Sequence, residues 1–182
     1  MANRSYLYGY KAGETPEHRD LSEWKTNVPL LHLLLVGVDV EPVPTAIWSV
    51  EEKIALSGDA PGGLDLFTRF LEWLAPRMGA QAEEFARYRA EALELLGRRE
   101  DERYHLELGE IFELSGYELD EMEAQTRGFA GQAAGIVTEA ERLMSEPGAE
   151  LADSTDWLLR EAADMNGSLG LYFPGILYFH LG

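Results

Sequence analysis

The sequence predicts an α+β fold: one mixed or antiparallel sheet of about four short strands, including both chain ends, packed with about five helices. Three observations carry this expectation. Near the start, Tyr6, Tyr8 and Tyr10 alternate with Leu7 and Gly9, which is the period of a strand. In the middle, apolar residues recur at helical spacing over long stretches, above all from 119 to 144. At the end, Ile176 to Leu181 form an apolar run of the kind that a strand buried on both faces shows. At 182 residues the chain is long enough to bury its own core, and residues 1–182 are expected to form one domain.

Taken in order, residues 4 to 10 read as the first strand, with the tyrosines on one face. Lys11 to Asp20, with Gly13 and Pro16, reads as a loop. Asn27 is placed to cap a helix from Val28 to Val36 that is apolar nearly all round and hence buried on several sides, with Gly37 ending it. Pro42 and Pro44 mark an extended connection, and 53 to 57 reads as a second strand closed by the turn Gly58 to Gly63, from which a helix starts. That helix places Leu66, Phe67, Phe70, Leu71 and Leu74 on one face and stops at Pro76. Another runs from Ala80 to Leu96. Tyr104, Leu106 and Leu108 alternate with His105 and Glu107 as a third strand, followed by a helical turn through Ile111, Phe112 and Leu114. The longest helix, 119 to 144, carries Met122, Phe129, Ala133, Ile136, Val137, Ala140 and Leu143 on one stripe, and Pro147 and Gly148 end it. Its Gly128, Gly131 and Gly135 are expected to let another backbone pack closely. A last helix, capped by Asp153 or Ser154, carries Trp157 and Leu158 inward before the final strand.

Charge narrows the function classes. Thirty-three acidic residues against fifteen basic ones give a net charge of −18, a field that repels phosphate backbones and favours cationic partners. A basic protein partner is therefore expected, and nucleic acid is not. No stretch approaches the roughly 20 apolar residues of a membrane span, and Met1 to Tyr6 lacks the pattern of a secretory signal, so a cytoplasmic, membrane-free protein is expected. The absence of cysteine excludes disulfides, thiolate metal sites and a cysteine nucleophile.

The densest chemical feature lies between Tyr104 and Glu123, where Glu107, Glu110, Glu113, Glu118, Asp120, Glu121 and Glu123 occur without a basic residue. Glu107, Glu110, Glu113 and Asp120 form the candidate acidic patch. Carboxylates in that number could hold a divalent cation for a hydrolase, but interleaved with Leu106, Leu108, Ile111 and Phe112 they match the wet side of amphipathic elements. The histidines are His18, His32, His105 and His180, with no pair at zinc-protease spacing, so no metal ligand and no cofactor are assigned. His32 and His180 sit in apolar surroundings that suit core histidines. The Gly58 to Gly63 turn lacks the Lys-Ser/Thr ending of a phosphate loop, and no nucleophile elbow occurs.

The opening Met-Ala-Asn-Arg-Ser-Tyr-Leu-Tyr at 1–8, Leu-Ser-Glu-Trp at 21–24, Ala-Leu-Ser-Gly-Asp-Ala-Pro-Gly-Gly at 55–63 and the closing Leu-Tyr-Phe-His-Leu-Gly at 177–182 resemble a family of uncharacterised bacterial proteins, a domain of unknown function. The resemblance does not cover about 76 to 165. It implies a bacterial cytoplasmic protein and transfers no catalytic residue. Asn3, Arg4, Tyr6, Ser22, Glu23 and Trp24, if they share one surface, are the candidate binding residues; the competing expectation is that they pin the N-terminal strand to the sheet. The reading that results is a non-catalytic protein-binding module of the immunity kind, neutralising a basic partner, with a metal-dependent hydrolase using carboxylates of 104–123 as the alternative.

Overall fold

The tyrosine alternation belongs to a five-stranded antiparallel sheet with strand order β2-β1-β5-β4-β3. The computed structural model describes residues 3–11, 13, 17–98, 100–146, 148, 157–178 and 181. β1 (Arg4–Lys11) pairs with β2 (Glu17–Lys25) on one side and with β5 (Arg103–Glu107) on the other. β4 (Ala55–Asp59) joins β5 to the three-residue β3 (Glu41–Val43) at the far edge. The expected α+β class stands, with two strands beyond those read from the sequence. β2 begins inside the stretch expected to be a loop. Its first residues, Glu17 to Asp20, are all polar because the strand lies at the sheet edge and needs no apolar stripe. A register shift opposite Leu7 and Tyr8 then turns Leu21 into the core.

The two faces of the sheet differ in chemistry. Leu7, Leu21, Leu56, Tyr104 and Leu106 point into one apolar core with the helices. That core is closed by α1 (Leu30–Val36), α2 (Ala60–Leu74), α3 (Ala82–Gly97), α4 (Gly109–Leu114), α5 (Leu119–Ser145) and α6 (Trp157–Ala163). Every residue of α1 is buried, as its all-round apolar sequence predicts. Seven residues are too few for a helix to persist alone, so burial of its leucines, at about 1.5–3 kcal/mol each, is what holds it. Pro29, not Asn27, occupies its N-cap position, and no side chain caps it; the Asn27 carbonyl instead accepts from the Ser5 hydroxyl. In α2 the Asp59 carboxylate caps the Gly62 amide, with Pro61 in the first turn. Short 3-10 turns, Ala75–Arg77 and Gly79–Gln81, follow where Pro76 ends the helix.

Three further expectations need correction. Among the described residues, a Cβ at Gly128, Gly131 or Gly135 would meet nothing within 4 Å, so no close helix contact is made there at these α5 glycines. Close approach occurs elsewhere: a Cβ at Gly63 would lie 2.1 Å from the Leu35 carbonyl oxygen, and one at Gly58 2.1 Å from that of Val36, so α1 rests directly on β4 and α2. In α6, Leu158 and Leu159 face inward while Trp157 stays 43% exposed, and the expected caps Asp153 and Ser154 lie outside the described residues. The C-terminal run is not a strand over Ile176 to Tyr178, and residues 179 and 180 fall outside the described set. Within it, Leu177 packs under the sheet while Ile176 and Tyr178 point outward.

Candidate functional site

The second face of the sheet is built from the even positions of β1. Tyr6 and Tyr8 are fully buried there with Leu177, and Ile47 and Leu181 pack against them. By register, Tyr6 stands between Glu23 on β2 and Glu107 on β5, Tyr8 between Asp20 and His105, and the next even position, Tyr10, faces His18. Burial raises the phenol pKa of Tyr8 well above its ordinary value, helped by the neighbouring charges of Glu107 and Asp20, and Tyr6 shifts the same way. Both phenols stay protonated in this layer.

Glu107 is the most deeply buried carboxylate of that face. Its Oε2 accepts from the Thr45 hydroxyl at 2.7 Å, and its Oε1 accepts from the Ala46 amide at 2.5 Å and lies 2.7 Å from His105 Nε2. A buried carboxylate persists only when its oxygens are satisfied this way. The result is a latch that holds residues 45 to 47 across the sheet. Glu107 is thus not part of a surface acidic patch. Glu110 is half-buried and ties down the N-terminus: its carboxylate accepts from the Arg4 amide at 3.0 Å and the Tyr6 hydroxyl at 3.0 Å, and its carbonyl from Asn3 Nδ2 at 2.7 Å. Glu113 and Asp120 are exposed. Glu118 and Glu121 form a capping box that starts α5, and Glu123 pairs with Arg127. The carboxylates of 104–123 are therefore dispersed, and among the described residues no three His, Asp or Glu side chains are grouped to hold a metal ion.

The candidate binding residues divide between two jobs. Asn3 and Tyr6 pin the N-terminal strand to Glu110. Ser22 is buried; its hydroxyl donates to the Tyr172 carbonyl at 2.6 Å, so His32 Nε2, 2.8 Å away, donates to the serine oxygen. Glu23 and Trp24, in contrast, stand on the edge strand β2 beside the chain that follows α6, and Arg4 of β1 reaches Glu23. That chain turns at Gly170, whose φ of 76° favours glycine and whose Cβ would lie 2.3 Å from Pro29. It then runs along β2, with the Gly175 amide donating to the Leu21 carbonyl at 3.2 Å, Leu177 to Asp20 Oδ2 at 3.3 Å and Tyr178 to Glu23 Oε2 at 2.7 Å. The other Glu23 oxygen pairs with Arg4 Nε at 3.2 Å, and the Arg4 guanidinium lies 4.7 Å from the Tyr178 ring centre.

These bonds fix apolar side chains in the open. Ile176 is 79% exposed, Tyr178 72% and Tyr172 49%. Between this segment and the end of β2 lies an open groove of about 650 Å³, walled by Trp24, Tyr172, Pro174 and Ile176, with Asn27 and Asn166 offering amides. A preset aromatic wall with a few polar groups is what a binding groove requires. The signal legible in the sequence was Leu-Ser-Glu-Trp itself; its partners 150 or so residues downstream, such as Tyr172 bonded to Ser22, could not be read from it.

Comparison with known proteins adds a family. No curated protein and no solved structure matches the chain. The model of one family, described as a domain of unknown function (DUF7822), matches residues 7–165, running through the central stretch that the resembling segments leave uncovered. With most of its length matched, the chain belongs to the DUF7822 family.

Proposed function

We propose that this protein is a non-catalytic binding module that docks a basic protein partner on the face formed by β2 and the segment Tyr172 to Tyr178, neutralising it in the manner of an immunity protein. The observation that carries this reading is the exposed, rigidly held pair Ile176 and Tyr178, anchored through Asp20, Glu23 and Arg4. Large apolar side chains fixed in solvent lose little entropy on docking and supply the anchors of an interface. Charge selects the occupant. A second copy of a chain carrying −18 would be repelled, whereas a cationic protein is steered in. A reducing, cytoplasmic setting forms part of the reading and is supported by the cysteine-free composition.

The test compares wild-type protein with Ile176→Asp and Tyr178→Ala variants as baits in extracts of the native host, at 50 mM and at 0.5 M salt. A basic protein held by wild type, released by high salt and lost by both variants is the expected outcome. Equal retention by the variants, or an acidic partner held regardless of salt, would overturn the proposal.

A further inference from the structure

The second face of the sheet brings together two histidines that are 87 positions apart in sequence. His18 on β2 stands opposite Tyr10, and His105 on β5 stands opposite Tyr8, so β1 lies between them. Strands two places apart are roughly 9.6 Å apart in backbone. Their imidazole centres are nevertheless only 5.6 Å apart, with the rings at 80°. Both side chains lean toward one another over the Tyr8 and Tyr10 rings.

From this geometry we infer that His18 and His105 bind a borderline divalent metal ion, of the Zn²⁺, Ni²⁺ or Cu²⁺ type, leaving further coordination positions open. Three features support it. With metal–nitrogen bonds of about 2.0–2.1 Å and each ring centre about 1.2 Å behind its nitrogen, two imidazoles on one tetrahedral ion have centres roughly 5 Å apart, close to the separation seen here. His105 is oriented as metal-binding histidines usually are, with one ring nitrogen, Nε2, tied to the Glu107 carboxylate at 2.7 Å and Nδ1 left to bind. That carboxylate is itself fixed by Thr45 and Ala46, so the ring cannot swing away. Among the described residues no hydrogen bond engages either ring nitrogen of His18, which leaves that imidazole open to coordinate beside His105. Carbonyl and carboxylate cages for Ca²⁺ or Mg²⁺ are a different chemistry; imidazole selects the borderline ions.

Titration calorimetry and thermal melting with Zn²⁺ and with Ni²⁺ test this on the full chain. Wild type is expected to bind one ion saturably and melt higher with it. His18→Gln, a change at a half-buried position that leaves the core intact, should weaken binding 100-fold or more, and Glu107→Gln about 10- to 100-fold through loss of orientation. Should Glu107→Gln fail to fold, the electron paramagnetic resonance spectrum of bound Cu²⁺ serves instead: two imidazole nitrogens in wild type, one in His18→Gln. No binding up to millimolar ion, or binding unchanged in His18→Gln, would overturn the inference.

Discussion

At the scale of single residues, His32 sits wholly inside the protein, donating through Nε2 to Ser22, while its buried Nδ1 has no hydrogen-bond partner among the described residues. Burial pushes its pKa down to about 3, from an ordinary value of 6.5. The unfolded chain takes up a proton below pH 6.5 and the folded one does not. The stability this residue supplies is thus complete above pH 6.5 and drains away as pH falls toward 3, by about 1.4 kcal/mol per pH unit. His18, lowered in the same direction, adds to the slope. Urea midpoints measured from pH 7 to 5 should fall steadily in wild type and less steeply in His32→Gln; parallel lines for the two proteins would contradict the assignment. His32 was legible as a core histidine because every neighbour in its helix is apolar. Glu107 was not legible, since nothing in a run of carboxylates marks the one whose register points it beneath residues 45 to 47.

At the scale of elements, the contact between α1 and α2 depends on the absence of a side chain at Gly63. Gly63→Ala drives a methyl group into the Leu35 carbonyl and should cost about 2–3 kcal/mol. Gly131→Ala, on an open position of α5, should instead stabilise by about 0.5–1 kcal/mol through helix propensity. Chemical denaturation of both variants reads the contrast, and equal effects would show that the helix layer is looser than described. Elements with a full apolar period were read closely: β1, β4 and β5 fall within two residues of their expected places, and α5 carries its stripe as anticipated. β2 escaped because its first four residues are polar, and β3 because a three-residue strand containing Pro42 has no periodicity to detect. The glycines of α5 misled for a related reason, since spacing shows where a second backbone could approach and not whether one does.

At the scale of the whole molecule, an excess of 18 negative charges acts on folding and binding with opposite signs. Self-repulsion opposes compaction, so raising NaCl from 20 mM to 0.5 M should increase Tm by about 2–4 °C, equivalent to about 1 kcal/mol. Over the same range the affinity for a basic partner should fall. Circular dichroism and tryptophan fluorescence should report one coincident melting transition, the behaviour of a single domain; two separated transitions would divide residues 1–182 into more than one unit. The edge of β2 has a further consequence. Its closing contacts arrive from Tyr172 and Gly175, about 150 residues after the strand itself is made. During synthesis the sheet is thus open along a nine-residue border to any other extended chain, and the polar side chains of Glu17 to Asp20 are the safeguard available against mispairing until translation reaches the tail.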